Sequence, residues 1–389
     1  MDKFKILTLD NISARGLERM PLEKYEVSSE CSAPDGIILR SFKMHDMDLP
    51  ESLLAVGRAG AGVNNIPVDK ISSLGIPVFN APGANANAVK ELVIAGMLLG
   101  CRNIAQARDY VSGLEGDDTT ISKLVEKGKK QFGGFELPGR TLGVIGLGAI
   151  GVQVANVARA LGMNVIGFDP SITVRRAWEL SSEVTSAQSV EEVLSQCDFI
   201  TFHVPLIEST KDLINADRLA TMKDNVVIIN FARQGIVNDE AVLAALETGK
   251  VYSYVCDFPS NDLIAHPRVI ALPHLGASTS EAEDNCAIMV ADQLQAFLEH
   301  GVIRNSVNFP EISLERSGQS RIVIVNENRP DMLGQISSEL AQAGMNITHM
   351  RNESKGDLAC TLVDVDQKAE NDCCSQLAAI DGVLKVRIV

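Results

Sequence analysis

Short apolar runs alternate with segments of helical period along the first 85 residues. Four of these runs, at 4–9, 36–39, 53–56 and 76–79, have the length and composition of buried strands. Helical or turn segments separate them, and strands that alternate with helices usually form a parallel sheet. The pattern therefore predicts a small α/β unit at the start of the chain.

The same alternation resumes after a longer helical region. A helix is predicted over 89–110, and a polar, glycine-rich surface connection follows over 112–140. Six further apolar runs predict strands at 142–146, 164–169, 198–204, 225–231, 251–256 and 268–272. Because six strands are the full complement of a doubly wound dinucleotide-binding sheet, we expect that fold in this region.

The pattern changes again in the last part of the chain. A long amphipathic helix is predicted over 279–301, and a polar linker follows over 309–319. Residues 320–389 then predict the order β-α-β-β-α-β, which is typical of a ferredoxin-like domain. This segment contains no pairing of a nucleophile with a base, so we interpret it as an independent binding or regulatory unit.

A glycine motif marks the start of the central strands. Gly146, Gly148 and Gly151 follow an apolar run and open a helix. In that arrangement the glycines allow a tight turn, close approach of a phosphate and close packing of helix on strand. Asp169 ends the next apolar run, where an acid accepts hydrogen bonds from ribose hydroxyls and repels a 2′-phosphate. The motif therefore favours NAD over NADP.

Ionisable side chains follow the ends of several predicted strands. Arg233, Asp257 and His274 follow the last three strands of the central region. Because ligands bind outside the carboxyl ends of strands in open α/β sheets, these three groups should converge on one crevice and form a candidate active site. Arg40 and Arg58, with Lys43 nearby, are candidate anion ligands of the first unit by the same rule, or solvated surface charges.

Charge and cysteine content narrow the class of protein. The net charge of −15 over 389 residues argues against nucleic acid or an anionic membrane as a main partner. The eight cysteines form no CxxC motif, which suits buried thiols in a reducing cytoplasm. The first residues predict a strand rather than a signal peptide, and the longest apolar run, 92–101, is too short to span a bilayer.

Several sequence blocks resemble the D-2-hydroxyacid dehydrogenases over nearly the whole of the first 308 residues. The blocks are 58–66, 80–85, the glycine motif, 203–206, 230–237 and 272–276. The resemblance implies a flavodoxin-like substrate-binding domain, formed by 1–85 and 283–308, with a Rossmann NAD-binding domain, 86–282, inserted in it. Residues 320–389 resemble an ACT regulatory domain, as in the short type of phosphoglycerate dehydrogenase.

The same resemblance implies a catalytic set. His274 matches the family's base, and histidine suits proton transfer near neutral pH. Arg233 matches the arginine that binds the α-carboxylate of the substrate. The family's third member is a glutamate that pairs with the histidine; its position here is Asp262, which is one methylene shorter. Either Asp262 takes that role through a shifted backbone, or the pairing is weakened.

The remaining site residues also follow from the resemblance, with Asp257 as partner of the nicotinamide carboxamide. The cofactor positions are Gly146, Gly148, Ala149, Ile150, Gly151, Asp169, His203, Val204, Pro205, Thr210, Ala232, Asp257 and Gly276. The substrate positions are Arg40, Ser41, Lys43, Arg58, Gly60, Gly62 and Asn85. An L-serine effector would contact Asn326, Asn328 and Asn346; alternatively, the C-terminal domain serves assembly alone. No metal is expected.

The function implied is NAD-dependent oxidation of D-3-phosphoglycerate to 3-phosphohydroxypyruvate, the first step of L-serine synthesis, in a cytoplasmic homodimer or homotetramer. A reductase of hydroxypyruvate, glyoxylate or 2-oxoglutarate is the alternative within the family, because substrate choice depends on a few loop residues. A nucleotide-sensing binding protein on the same scaffold is a third hypothesis. The presence of both Arg233 and His274 argues against it.

Overall fold

The computed structural model describes residues 3–389, apart from the side chain of Asn371. It separates into two compact units. The terminal unit consists of the chain up to Asn85 together with Ser280–Val389, and the central unit consists of Ala86–Thr279. Parallel sheets occur in both units and an antiparallel sheet in the terminal one, which confirms the predicted α/β class. The assignment of substrate and cofactor to separate domains stays a prediction.

The terminal unit begins with a five-stranded parallel sheet. Its strands are β1 (Phe4–Leu9), β2 (Tyr25–Ser28), β3 (Gly36–Leu39), β4 (Ala55–Arg58) and β5 (Val78–Phe79). Two short helices accompany them, α1 (Ala14–Leu17) and α2 (Val68–Ser73). The spatial order β2-β1-β3-β4-β5 is that of a flavodoxin-like sheet, as expected.

Two details of this sheet differ from the sequence prediction. Strand β2 is not predicted, because only Tyr25 of its four residues is fully buried and no apolar run results. Strand β4 lies two residues later than predicted, since the amides of Leu54 and Ala55 bond to the carbonyl of Asp35 before the ladder begins. As a result, Arg58 is the last residue of the strand rather than part of a loop.

The central unit contains a seven-stranded parallel sheet. Its strands are β6 (Thr141–Ile145), β7 (Asn164–Phe168), β8 (Thr185–Ser186), β9 (Phe199–Phe202), β10 (Val226–Asn230), β11 (Val251–Cys256) and β12 (Val269–Ala271). The spatial order is β12-β11-β10-β9-β6-β7-β8, which reverses between β6 and β9. The sheet is therefore doubly wound. It has one strand more than the six predicted, because the two-residue edge strand β8 is too short to produce an apolar run.

Helices cover both faces of this sheet. They are α3 (Ala86–Arg102), α4 (Ile104–Ser112), α5 (Asp118–Gly128), α6 (Ala149–Ala160), α7 (Val174–Glu179), α8 (Val190–Gln196), α9 (Ala216–Thr221), α10 (Asp239–Glu247) and α11 (Asn261–Ala265). The single helix predicted over 89–110 is two helices. Asn103 interrupts it with a left-handed φ of 52°, and its amide donates to the Tyr252 hydroxyl at 2.8 Å.

The terminal unit continues with a long helix and an antiparallel sheet. These elements are α12 (Ser280–His300), β13 (Ser320–Glu327), α13 (Met332–Gln342), β14 (Ile347–Lys355), β15 (Leu358–Val365), α14 (Asn371–Ala378) and β16 (Val383–Ile388). The antiparallel order β14-β15-β13-β16 is the ferredoxin-like one, so the predicted fold of residues 320–389 is confirmed. Strand β13 extends through Asn326.

The C-terminal sheet shares a core with the rest of the terminal unit, and its independence as a binding or regulatory domain stays a prediction. Val323 and Leu362 belong to the same hydrophobic cluster as Phe297 of α12. The predicted polar linker contributes too, since Phe309 and Ile312 are buried. Apolar residues isolated among polar ones lack a period, so the sequence does not reveal this packing.

Two arginines of the C-terminal sheet cap the end of α12. Arg321 donates to the carbonyl of His300 at 3.2 Å, and Arg387 donates to the carbonyls of Leu298, at 2.8 Å, and Phe297. Both cations meet the negative end of the helix dipole. The polar contacts therefore join the C-terminal sheet to α12, in addition to the shared core.

Candidate active site

The glycine turn between β6 and α6 has the geometry of a phosphate cradle. Gly146 has a φ of 94°, which favours glycine, and a Cβ on Gly151 would lie 1.9 Å from the carbonyl oxygen of Gly146. A Cβ on Gly148 would meet no atom within 4 Å, so the turn is open beside it. Ala149 and Ile150 begin α6 with no side-chain cap. These helical amides fit the pyrophosphate of a dinucleotide.

Asp169 lies beside this turn, directly after β7. Its carboxylate accepts the amide of Leu147 and the amide of Ser171, each at 2.8 Å. These bonds hold an acid next to the glycine turn, where a ribose would lie. The arginines that follow, Arg175 and Arg176, both pair with Glu179. The arrangement fits a ribose with free hydroxyls better than one with a 2′-phosphate.

His203 and the turn after β9 lie on the other side of the glycine turn. A Cβ on Gly146 would lie 2.8 Å from Val204, so the two are in contact. The Thr210 hydroxyl donates to the carbonyl of Pro205 at 2.6 Å and fixes this turn. Burial lowers the pKa of His203 to about 3. His203 is therefore neutral at physiological pH and suits a wall of the site better than a base.

Arg233, Asp257 and His274 follow three neighbouring strands. Strand β10 pairs with β11, and β11 pairs with β12, all in parallel. The carboxyl ends of these strands therefore lie along one edge of the sheet, and the three side chains follow them. The same edge carries the glycine turn after β6. The sheet thus carries Arg233, Asp257, His274 and the glycine turn at one edge.

Asp257 is a buried acid without a partner among the described residues. It is 3% exposed, and neither carboxylate oxygen has a hydrogen-bond partner. Burial raises its pKa to about 6, although the positive charge of Arg233 acts in the opposite direction. Unpaired buried acceptors are costly and call for a donor. The carboxamide N–H groups of a nicotinamide fit this site.

The loop after β10 presents Arg233 to solvent. The Asn230 amide donates to the carbonyl of Arg233 at 3.0 Å, and its oxygen accepts the amide of Ala232 at 3.2 Å. Arg233 itself donates to the carbonyl of Ala232 at 2.7 Å, and its side chain remains exposed. A guanidinium held in this way can bind a carboxylate in a bidentate manner.

His274 is exposed and lies against an aromatic ring. The imidazole and the ring of Phe258 have centroids 4.5 Å apart and are inclined at 52°. Gly276 is buried close by, where a Cβ would lie 3.3 Å from Val89. Asp262 lies in the first turn of α11 and is exposed. Its pairing with His274 stays a prediction.

The predicted substrate residues of the terminal unit fall into two groups. Arg40 and Arg58 are together, since Arg58 Nε donates to the carbonyl of Arg40 at 3.0 Å. The Arg58 guanidinium lies over Gly60, where a Cβ would be 2.4 Å from Nη1. Ser41 is next to Arg40 and exposed.

The second group has no such link to the arginines. Within residues 3–389, no hydrogen bond or ion pair is found for the ammonium of Lys43, which is exposed. Gly62 and Asn85 are half-buried. Their assignment to the substrate stays a prediction.

The predicted effector residues lie in three different settings. Asn326 is 2% exposed in β13, and its Oδ1 atom has no partner in the described part of the chain. Asn328 donates to the carbonyl of Gly356 at 3.0 Å, and Asn346 donates to Asp366 at 2.7 Å. Only Asn326 therefore has an unsatisfied buried atom.

The described residues contain no group of three or more His, Cys, Asp or Glu side chains that could hold a metal ion. None of the helices described has the length and hydropathy needed to cross a membrane.

Comparison with known proteins identifies the family. The model of the D-isomer specific 2-hydroxyacid dehydrogenase NAD binding domain matches residues 94–276. The D-3-phosphoglycerate dehydrogenase of Haemophilus influenzae is 34% identical over 349 residues, which make up 87% of this chain and 81% of that protein. The chain belongs to the D-isomer specific 2-hydroxyacid dehydrogenases.

Two further relatives of this chain are informative. The D-3-phosphoglycerate dehydrogenase of Methanocaldococcus jannaschii is 36% identical over 357 residues, 90% of this chain, but the chain spans only 65% of that relative's length. The NAD+-bound 3-phosphoglycerate dehydrogenase of Entamoeba histolytica superposes with a TM-score of 0.61 at 25% identity. That comparison covers 79% of this dehydrogenase and 99% of the Entamoeba chain.

Sequence reasoning missed four residues that shape the two candidate sites of the dehydrogenase. They are Asp10, Asn230, Phe258 and Glu283. Asp10 and Phe258 stand at or next to the ends of β1 and β11, where the strand-end rule would have found them. Glu283, in the first turn of α12, forms an ion pair with Arg40. The two residues lie far apart along the chain, so no local pattern indicates this pairing.

Proposed function

We propose that the dehydrogenase oxidises D-3-phosphoglycerate to 3-phosphohydroxypyruvate with NAD, the reaction that opens L-serine synthesis. The observation that carries this proposal is the row of strand ends in the central sheet. It combines a glycine turn and Asp169 on one side with Arg233, Asp257 and His274 on the other. The relatives named D-3-phosphoglycerate dehydrogenase support the choice of substrate.

The central unit supplies the groups that the chemistry needs. The glycine turn after β6 and Asp169 would hold NAD, which when bound would supply an acceptor for the hydride on C2 of the substrate. Arg233 binds the α-carboxylate and orients the substrate. His274 removes the proton from the C2 hydroxyl as a general base and later releases it to solvent. His203 does not serve as that base, because burial lowers its pKa to about 3.

Two further residues support the histidine in this proposal. The Phe258 ring restricts the orientation of the imidazole through their contact at 4.5 Å. Asp262 is the proposed partner that favours the protonated imidazole formed during oxidation. Asp257 would accept hydrogen bonds from the N–H groups of the nicotinamide carboxamide. These bonds would give its buried oxygens the donors they lack.

The terminal unit binds the phosphate in this proposal. The net charge of −15 repels an anionic substrate, so a local cluster of cations is needed. Arg40 and Arg58 are in contact and form the centre of such a cluster, with Ser41 and Lys43 beside them. A phosphate gains charge-assisted hydrogen bonds from a guanidinium there.

Regulation and assembly complete the proposal. We infer a homodimer or homotetramer, supported by the exposed apolar side chains of Leu98, Ile104 and Val111 on α3 and α4.

L-Serine is the proposed effector at Asn326, Asn328 and Asn346, supported by the unsatisfied buried oxygen of Asn326. A cytoplasmic location agrees with eight cysteines that are all free thiols.

The decisive test is formation of NADH at alkaline pH, where loss of the substrate proton is favoured. D-3-Phosphoglycerate, D-2-hydroxyglutarate and D-glycerate are compared, each with and without L-serine. We expect a clear preference in kcat/KM for the phosphorylated acid. Equal or better turnover of an unphosphorylated acid would replace this proposal with the reductase alternative, while the roles of NAD and His274 would stand.

A further inference from the structure

The side chain of Arg40 is already engaged with an acid of the same unit. Its Nη1 atom lies 2.5 Å from Oε1 of Glu283, in the first turn of α12. Arg40 follows the end of β3, so the ion pair joins the strand-end loop to the helix. The side chains of Arg40 and Glu283 are 29% and 44% exposed. A solute can therefore reach the pair.

A carboxylate also accepts hydrogen bonds from the backbone amides at and after Arg40. Asp10 Oδ2 accepts the amides of Arg40, Ser41 and Phe42 at 3.2, 2.8 and 2.7 Å. Asn65 donates to the carbonyls of Arg40 and Phe42 at 3.2 and 2.8 Å. These bonds hold the loop from both sides. The amides of Arg40, Ser41 and Phe42 already donate to Asp10. An anion that binds here must therefore rely on side chains rather than on these three amides.

The buried thiol of Cys286 lies near the charges of Arg40, Arg58 and Glu283. Burial raises the pKa of Cys286, on α12; the positive charges of Arg40 and Arg58 act against that rise, and Glu283 adds to it. Arg58 also donates to the carbonyl of Arg40. Glu283 is therefore a negative charge placed inside a cluster of two arginines.

We propose that Glu283 is a specificity-determining residue that competes with the anionic tail of the substrate for Arg40. The inference rests on the proposed function and deepens it. A phosphate that binds Arg40 must displace the Glu283 carboxylate, whereas the neutral hydroxyl of D-glycerate leaves the pair intact. Glu283 thereby lowers affinity for charged tails and has no such effect on uncharged ones.

The test compares Glu283→Gln with the matched variant Glu281→Gln. Both changes remove one negative charge from the first turn of α12, but no ion pair is found for Glu281 among the described residues. The readouts are KM for D-3-phosphoglycerate and for D-glycerate at saturating NAD, and calorimetric titration with inorganic phosphate. Glu283→Ala serves as a second variant with the same expectation.

An exposed ion pair contributes up to about 1 kcal/mol, so we expect KM for D-3-phosphoglycerate to fall about two- to fivefold in E283Q. Inorganic phosphate should bind more tightly by a similar factor. KM for D-glycerate should not change, and E281Q should resemble the wild type. The effect should diminish at high ionic strength.

An unchanged or raised KM for the phosphorylated acid, with unchanged or weaker phosphate binding, would overturn the inference. Glu283 would then only position Arg40. Failure of the proposed function is distinguishable from this result. If the wild type prefers an unphosphorylated acid, the substrate assignment falls, but tighter phosphate binding by E283Q than by E281Q still supports competition for Arg40.

Discussion

The two parallel sheets both present polar side chains at the carboxyl ends of their strands, but they leave those side chains in different states. In the central unit, Asp257 is buried, and neither of its oxygens has a partner in the described part of the chain. In the terminal unit, Arg40 pairs with Glu283, and Asp10 occupies the amides beside it. A ligand of the central unit completes groups that are already desolvated, whereas a ligand of the terminal unit must displace a competitor.

The largest expected effect comes from removal of the proposed general base of the central site. His274→Ala should lower kcat/KM by about 10²- to 10⁴-fold, because a general base is lost, while NAD binding changes little. Steady-state kinetics and NAD titration measure the two effects separately. Asp262→Asn is the companion variant and should shift the pH dependence of kcat/KM rather than abolish turnover. Near-wild-type activity of His274→Ala would remove this histidine from the mechanism.

The next largest effect concerns Arg321, an arginine that stabilises the fold rather than binding a ligand. Arg321 and Asp364 form a buried ion pair at 2.6 Å, with side chains 1% and 0% exposed. Arg321→Met leaves a buried carboxylate unpaired, so the free energy of unfolding should fall by about 3–5 kcal/mol. Urea unfolding measures it. The double variant Arg321→Met/Asp364→Leu should recover most of the loss, and additive losses would contradict this account.

The smallest effect tests the unpartnered acid of the central unit. Burial raises the pKa of Asp257 from 3.8 to about 6. Between these values the native state holds a proton that the unfolded state has lost, so native stability falls as pH rises through this range. Asn does not ionise, and Asp257→Asn should therefore unfold a few degrees higher than the wild type at pH 8.

The difference caused by Asp257→Asn should vanish only below the unfolded-state pKa of 3.8, where the aspartate is protonated in both states. Thermal unfolding without NAD at about pH 3, 6 and 8 measures this dependence. A difference that does not vary with pH would show that packing, rather than ionisation of Asp257, distinguishes the two proteins. Added NAD should stabilise the wild type more than the variant, because the carboxylate is the better acceptor for the carboxamide.

Much of the central unit was predictable because its signals are local. Gly146, Gly148 and Gly151 are required by a turn that spans a few residues, and the apolar runs of a buried parallel sheet are continuous. Arg233, Asp257 and His274 follow from one rule about strand ends. Strands β2 and β8 were not predictable, since each is a short edge strand with few buried side chains.

The sequence alone determined the α/β class, the glycine cradle, the ferredoxin-like C-terminal order and the strand-end candidates, because each depends on residues close together in the chain. Only the tertiary structure decided that Glu283 pairs with Arg40, that Phe258 contacts His274 and that Arg321 and Arg387 cap α12. The Glu283 and arginine contacts join residues far apart in the chain, and all of them depend on packing geometry, which no period or local motif encodes.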